Sequence, residues 1–164
     1  YNFMSKKPKL KKFLYKEAEF NLEFEDDTTL EMLLKRAVKQ NLKTSRERLL
    51  ERDGKKSFIN LSMDCDTAQH DMDCGRVFGV EFLSYEEGAD ISIIENDMDS
   101  DTVDVTALSA TAGKEFVEGS VYFCVCGNKL VVTQSAALRT NHLEAYLNWL
   151  FTKSGIFQEG DGQY

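Results

Sequence analysis

Residues 120–134 read Ser-Val-Tyr-Phe-Cys-Val-Cys-Gly-Asn-Lys-Leu-Val-Val-Thr-Gln, two β-branched and aromatic runs separated by Gly127-Asn128. Glycine at the first central position of a two-residue connection suits a type II′ hairpin turn, because that position takes a positive φ. The stretch is therefore predicted to be an antiparallel hairpin with Cys126 facing Lys129. Side chains alternate across a strand. That register puts Phe123 and Val125 on one face with Leu130 and Val132, and Tyr122, Cys124 and Cys126 on the other with Val131 and Thr133. Both sets are largely apolar, which predicts a central pair of strands packed on each side, with its thiols inert.

Further strands are predicted ahead of this hairpin in the chain. Val77–Tyr85 and Ile91–Ile94 are rich in β-branched and aromatic residues, and Glu87-Gly88-Ala89-Asp90 between them reads as a hairpin connection. Val103, Val105 and Ala107 alternate with Asp104 and Thr106, the period of a half-exposed strand. Phe58–Met63 is strand-like. Asp53-Gly54 is a hairpin-type turn before it, which favours a strand within the charged stretch Lys43–Arg52. Phe20, Leu22 and Phe24 alternate with Glu19, Asn21, Glu23 and Glu25, and read as the first strand.

Two segments change to helical spacing. Leu30, Leu33, Leu34, Ala37 and Val38 predict a helix over 29–40, with Asp26, Asp27, Thr28 and Thr29 offering capping oxygens and Lys35, Arg36 and Lys39 near its end. Leu143, Tyr146, Leu147 and Leu150, widened by Trp149 and Phe151, predict a second helix after Thr140 and Asn141. Asn141 with Glu144 resembles a capping box, and Gly155 is placed to end the helix. The fold class is therefore α+β: a mostly antiparallel sheet of about seven to eight strands with two principal helices packed on it.

The 164 residues suit one domain over 13–157, between a basic flexible arm at 1–12 and a polar flexible tail at 158–164. Met4 is the candidate native start, which would make residues 1–3 an appended remnant. With 42% hydrophobic and 29% charged residues, 10 Gly and 1 Pro, the composition excludes a low-complexity chain. A net charge of −8 opposes long-range attraction to nucleic acid or to an anionic membrane. No apolar run approaches the roughly 18 residues of a membrane span, so no membrane partner is expected. The start has no secretory pattern, and a cytoplasmic location with reduced thiols is the expectation.

Candidate chemistry is sparse. Cys65, His70 and Cys74 lie at C-x4-H-x3-C spacing, and with Cys124 and Cys126 they are weak zinc-ligand candidates, since compact zinc loops use closer pairs. Between Asp64 and Asp104 stand thirteen carboxylates and a single basic residue, Arg76. Within that stretch Asp97, Asp99 and Asp101 resemble the start of a calcium loop. Thr102 stands where glycine is required, however, and Leu108 where a bidentate glutamate is. With Asp104 they are instead a candidate acidic interaction surface.

Ser135 lacks the flanking glycines of a nucleophile elbow. No phosphate-binding glycine motif can be written. His142 falls in the first turn of the last helix, suited to a surface or capping role. No catalytic residue, metal or cofactor is therefore assigned.

The expected function is a non-enzymatic intracellular interaction module, or a domain of a larger protein acting in a multi-protein complex, with a protein as partner. A second reading is nucleic-acid binding through Lys6, Lys7, Lys9, Lys11 and Lys12, with Phe13 and Tyr15 as stacking surfaces. A third is an acidic DNA-mimic-like inhibitor of a DNA-binding protein. The fourth is a zinc-binding protein or cysteine-dependent enzyme.

Overall fold

The structure, a computed structural model, describes residues 12–20, 24, 27–61, 77–94 and 105–157. The elements run β1 (Phe13–Glu17), α1 (Leu30–Lys35) continued by a π-helical turn (Arg36–Asn41), β2 (Leu50–Arg52), β3 (Lys55–Asn60), β4 (Phe78–Glu86), β5 (Asp90–Ile94), β6 (Val105–Ser109), β7 (Val117–Cys126), β8 (Lys129–Thr133) and α2 (Thr140–Lys153). Six strands form an antiparallel sheet in the order β1-β8-β7-β4-β3-β2, and β5 and β6 form a separate two-stranded ribbon. The class is α+β, as the sequence predicts.

The hairpin follows its predicted register: Cys126 faces Lys129, Val125 faces Leu130, Cys124 faces Val131, Phe123 faces Val132 and Tyr122 faces Thr133. Gly127 takes φ +61 and Asn128 stays out of positive φ, as a type II′ turn requires. The β2–β3 turn has positive φ at both Asp53 (54°) and Gly54 (76°), the type I′ form that follows the right-handed twist of its strands.

Strand alternation sorts the sheet into two faces. Phe78, Val80 and Phe82 of β4, Val121, Phe123 and Val125 of β7, Leu130 and Val132 of β8 and Ile59 of β3 share one buried face. Leu30, Leu33, Leu34, Ala37 and Val38 of α1 and its π turn join them in one core with Leu143, Tyr146, Leu147, Leu150 and Phe151 of α2. Among the described residues the expectation of packing on both faces is corrected: both described helices lie on this face, and Val131 on the opposite face is 43% exposed. Alternation records which residues share a face and not what lies against that face, so the apolar pattern is the same with or without cover.

Other expectations shift as well. The strand placed at Phe20–Phe24 lies earlier, at Phe13–Glu17. Phe20 and Phe24 are outside strands and pack edge to face at 5.4 Å beside the core, and 21–23 fall outside the described residues. Glu87–Asp90 is a turn but not a hairpin connection, because β5 pairs with β6 and not with β4. The Lys43–Arg52 stretch is mostly turn, and only Leu50–Arg52 is strand.

The first helix starts one residue after its predicted point, with the Thr29 hydroxyl accepting the Met32 N–H. Its last turn widens to π spacing, where Leu42 N–H reaches the Ala37 carbonyl. The α2 cap also differs: His142 Nδ1, not Glu144, accepts a backbone N–H, that of Arg139, at 3.1 Å. At the other end of α2, Ile156 N–H bonds to Phe151 and Gly155 N–H to Thr152, the Schellman closure expected with Gly155.

Candidate functional site

The cross-strand rows define what the face opposite the helices presents. One row runs Tyr15–Val131–Cys124–Gly79, a second Phe13–Thr133–Tyr122–Glu81–Asn60, a third Ser120–Leu83–Phe58, and a fourth Val117–Tyr85–Lys56–Glu51. Aromatic and aliphatic side chains make up half of the first three: Tyr15, Val131, Phe13, Tyr122, Leu83 and Phe58. Phe13 is 63% exposed, Tyr15 62% and Val117 55%, at opposite ends of the face, while Tyr122, Cys124, Cys126, Leu83, Phe58 and Tyr85 between them are half-buried. Phe58 and Tyr85 meet edge to face at 6.4 Å.

Charge on the face is low and mixed. On this face Lys56 and Lys129 stand against Glu17, Glu51 and Glu81, with Glu17, Lys129 and Cys126 forming a further row beyond that of Tyr15. Asn60 donates to the Glu81 carboxylate at 3.1 Å. Lys56 is paired with Glu87 in the adjoining turn, and that hydrogen bond raises its pKa above the ordinary lysine value. A surface with so little net charge offers contact area rather than electrostatic attraction.

The sequence-predicted residues are scattered by comparison. Lys12 is exposed just before β1, and Lys6, Lys7, Lys9 and Lys11 lie outside the described residues. Cys65, His70 and Cys74 also lie outside them, as do Asp97, Asp99, Asp101 and Asp104. Cys124 and Cys126 sit two apart on β7, on the open face. Among the described residues no group of three or more His, Cys, Asp or Glu side chains is placed to hold a metal ion. His142 is occupied by the α2 cap, and the Ser135 hydroxyl accepts the Leu138 N–H at 3.1 Å in a local turn. An open cleft at the base of the β5–β6 ribbon is lined by turn residues, including Gly88, whose N–H is held by the Glu115 carboxylate at 2.9 Å.

Sequence reasoning missed that Phe13 and Tyr15 belong to this face. The signal was present: they alternate with Leu14 and Lys16, and the apolar second face of the hairpin needed a neighbour. No described helix is long and apolar enough to cross a membrane. Comparison with known protein families, with curated proteins and with solved structures finds no match.

Proposed function

We propose that the protein is a non-enzymatic interaction module that docks a protein partner on the open face of its six-stranded sheet. The observation that carries this reading is the one-sided cover: both described helices pack on one face, and Phe13, Tyr15, Val117 and Val131 are exposed on the other. Exposed apolar residues grouped on one continuous face mark association surfaces, whereas single ones are ordinary. The mixed charge of the face supports a protein rather than a phosphate backbone, which calls for concentrated positive charge.

The test is capture from the protein's native cells, with and without nuclease, by the native chain and by a Val117→Glu/Val131→Glu double variant. Both positions are exposed, so the fold is expected to survive. A partner kept under nuclease and lost by the double variant supports the reading. A protein partner that the double variant still binds rejects it.

One observation favours a second reading. The lysine-bearing arm leads through Lys12 directly into the exposed rings of Phe13 and Tyr15, an arrangement suited to a single strand of nucleic acid. Capture abolished by nuclease, with affinity falling steeply as salt is added and when Lys6, Lys7, Lys9, Lys11 and Lys12 are neutralised, would establish that reading instead.

A further inference from the structure

β1 ends the large sheet, and among the described residues it pairs with β8 alone. The ladder itself shows which of its backbone groups face outward. In an antiparallel pair, alternate residues exchange N–H···O bonds with the neighbour, and the residues between them point away. The β7–β8 turn closes with Cys126 opposite Lys129, so Lys129, Val131 and Thr133 bond towards β7 and Leu130 and Val132 turn towards β1. Their β1 partners are Lys16 and Leu14. The same parity continues one step on, where Ala18 N–H donates to the Asn128 carbonyl at 2.8 Å. Phe13, Tyr15 and Glu17 therefore direct their N–H and C=O groups outward from the sheet.

We propose that this edge pairs antiparallel with the same edge of a second copy of the chain, about a two-fold axis at Tyr15. Within β1 the outward groups are those of Phe13, Tyr15 and Glu17, so these residues must meet one another across the seam. The register that uses all of them sets Tyr15 opposite Tyr15 of the second copy and Phe13 opposite its Glu17. Directly paired residues share a face. Both open faces then fall on one side of the joined sheet, and the exposed rings of Phe13 and Tyr15 from each copy form one strip across the seam.

Charge selects this occupant and this direction. In sequence, β1 is preceded by Lys6, Lys7, Lys9, Lys11 and Lys12, ends on Glu17 and is followed by Glu19, Glu23 and Glu25. Antiparallel pairing of two β1 strands in this register sets Lys12 of one copy beside Glu17 and Glu19 of the other. Parallel pairing would set like charges together. A foreign strand would have to supply that polarity, whereas a second copy already carries it. Strands of five residues make a small contact, so the association is weak and concentration-dependent. It concerns the edge and leaves the docking face open on both copies, so it stands or falls separately from the function proposed above.

The test uses the purified full-length chain and two single variants, Tyr15→Cys and Phe13→Cys, under mild oxidation. Both side chains are exposed, so neither change touches the core. Residues opposed in a hydrogen-bonded pair have Cα atoms about 5.5 Å apart, within reach of a disulfide, whereas the two Phe13 positions would be separated along the seam by roughly 13 Å. Tyr15→Cys is expected to form a dimer linked residue 15 to residue 15, mapped by mass spectrometry, at least roughly tenfold faster than Phe13→Cys forms its equivalent. Equal rates, or no link between the two residues 15, overturn the proposal.

Sedimentation gives a second readout. The native mass is expected to rise from 18.7 kDa towards twice that value as concentration increases. Tyr15→Pro, which removes only an outward N–H and leaves the β1–β8 ladder intact, is expected to stay monomeric with a near-native melting temperature. A native chain that remains monomeric at hundreds of micromolar, or a folded proline variant that still dimerises, also overturns it. The cysteine pair decides the matter whether or not the proline variant folds.

Discussion

The phenolic hydroxyl of Tyr146 donates to the backbone carbonyl of Arg48 at 2.6 Å and accepts the N–H of Ile59 at 3.1 Å. Leu50 faces Ser57 in the β2–β3 pair, so continuing that register sets Arg48 opposite Ile59. The hydroxyl therefore occupies the place of the next ladder bond. The Arg48 guanidinium completes the junction, with Nε on the Ile59 carbonyl at 3.1 Å and Nη1 on the carbonyls of Val38, Leu42 and Lys43 at 3.3, 3.0 and 2.8 Å. A buried cation thus meets the carbonyl end of the π turn, where the helix dipole favours positive charge. Two side chains join both helices to β3, beyond the point where β2 begins to pair with it.

Replacing Tyr146 by Phe keeps the ring against Phe82, 4.8 Å away between centroids, but leaves a buried N–H and a buried carbonyl without their partner. The expected loss of stability is about 1–3 kcal/mol. It should be read as a lower urea midpoint with an unchanged m-value, together with faster hydrogen exchange at Ile59.

Burial pushes the Tyr146 hydroxyl above its ordinary pKa of 10.0, against the opposing effects of the Ile59 hydrogen bond and the Arg48 charge. The unfolded chain therefore gives up this proton first as pH rises. Its contribution is complete below pH 10.0 and is lost as pH climbs from there towards the folded value. Urea midpoints measured across the alkaline range are expected to fall more steeply for the native chain than for Tyr146→Phe, and equal slopes would refute the assignment.

Arg48 remains a guanidinium even though burial lowers its pKa. Substituting methionine fills the space but strips hydrogen bonds from four carbonyls, and a loss of about 3 kcal/mol or more is expected by chemical denaturation. Lysine should recover little of it, because a single ammonium cannot span Ile59 and the end of the π turn as the planar fork does. A lysine variant as stable as the native protein would show that charge alone suffices.

The β7–β8 turn also caps α1. Asn128 Oδ1 accepts the Leu30 N–H at 2.7 Å, the Gly127 carbonyl accepts the Glu31 N–H at 3.0 Å, and the Glu31 carboxylate accepts the Gly127 N–H at 2.9 Å. Asn128→Ala is expected to cost about 1 kcal/mol, as loss of a helix cap does. Asn128→Asp keeps the acceptor and places a negative charge at a helix N-terminus, so its melting temperature should stay close to native.

The hairpin at 120–134 was legible because its determinants are local: a glycine turn and strict alternation set the register before any contact forms. The same holds for the apolar stripes of α1 and α2 and for the closure at Gly155. The partner of β5 was not legible, because a turn signal such as Glu87–Asp90 marks a change of direction and not which strand comes to lie alongside. The hairpin's share of the candidate site, Tyr122, Cys124, Cys126, Val131 and Thr133, was placed on one face by parity alone. The exposure of that face was not, because an apolar face looks the same in sequence whether a helix covers it or nothing does.

The amino-acid sequence determined by itself both helices, the central hairpin, the fold class and the sorting of the central strands into two faces, since these follow from short-range periodicity and turn chemistry. Only the tertiary structure decided that both helices share one of those faces, that β1 forms an outer edge beside β8, and that Arg48 and Tyr146 meet across 98 positions of chain. Those outcomes depend on which distant surfaces bury each other, a competition among alternative long-range packings that no local pattern records.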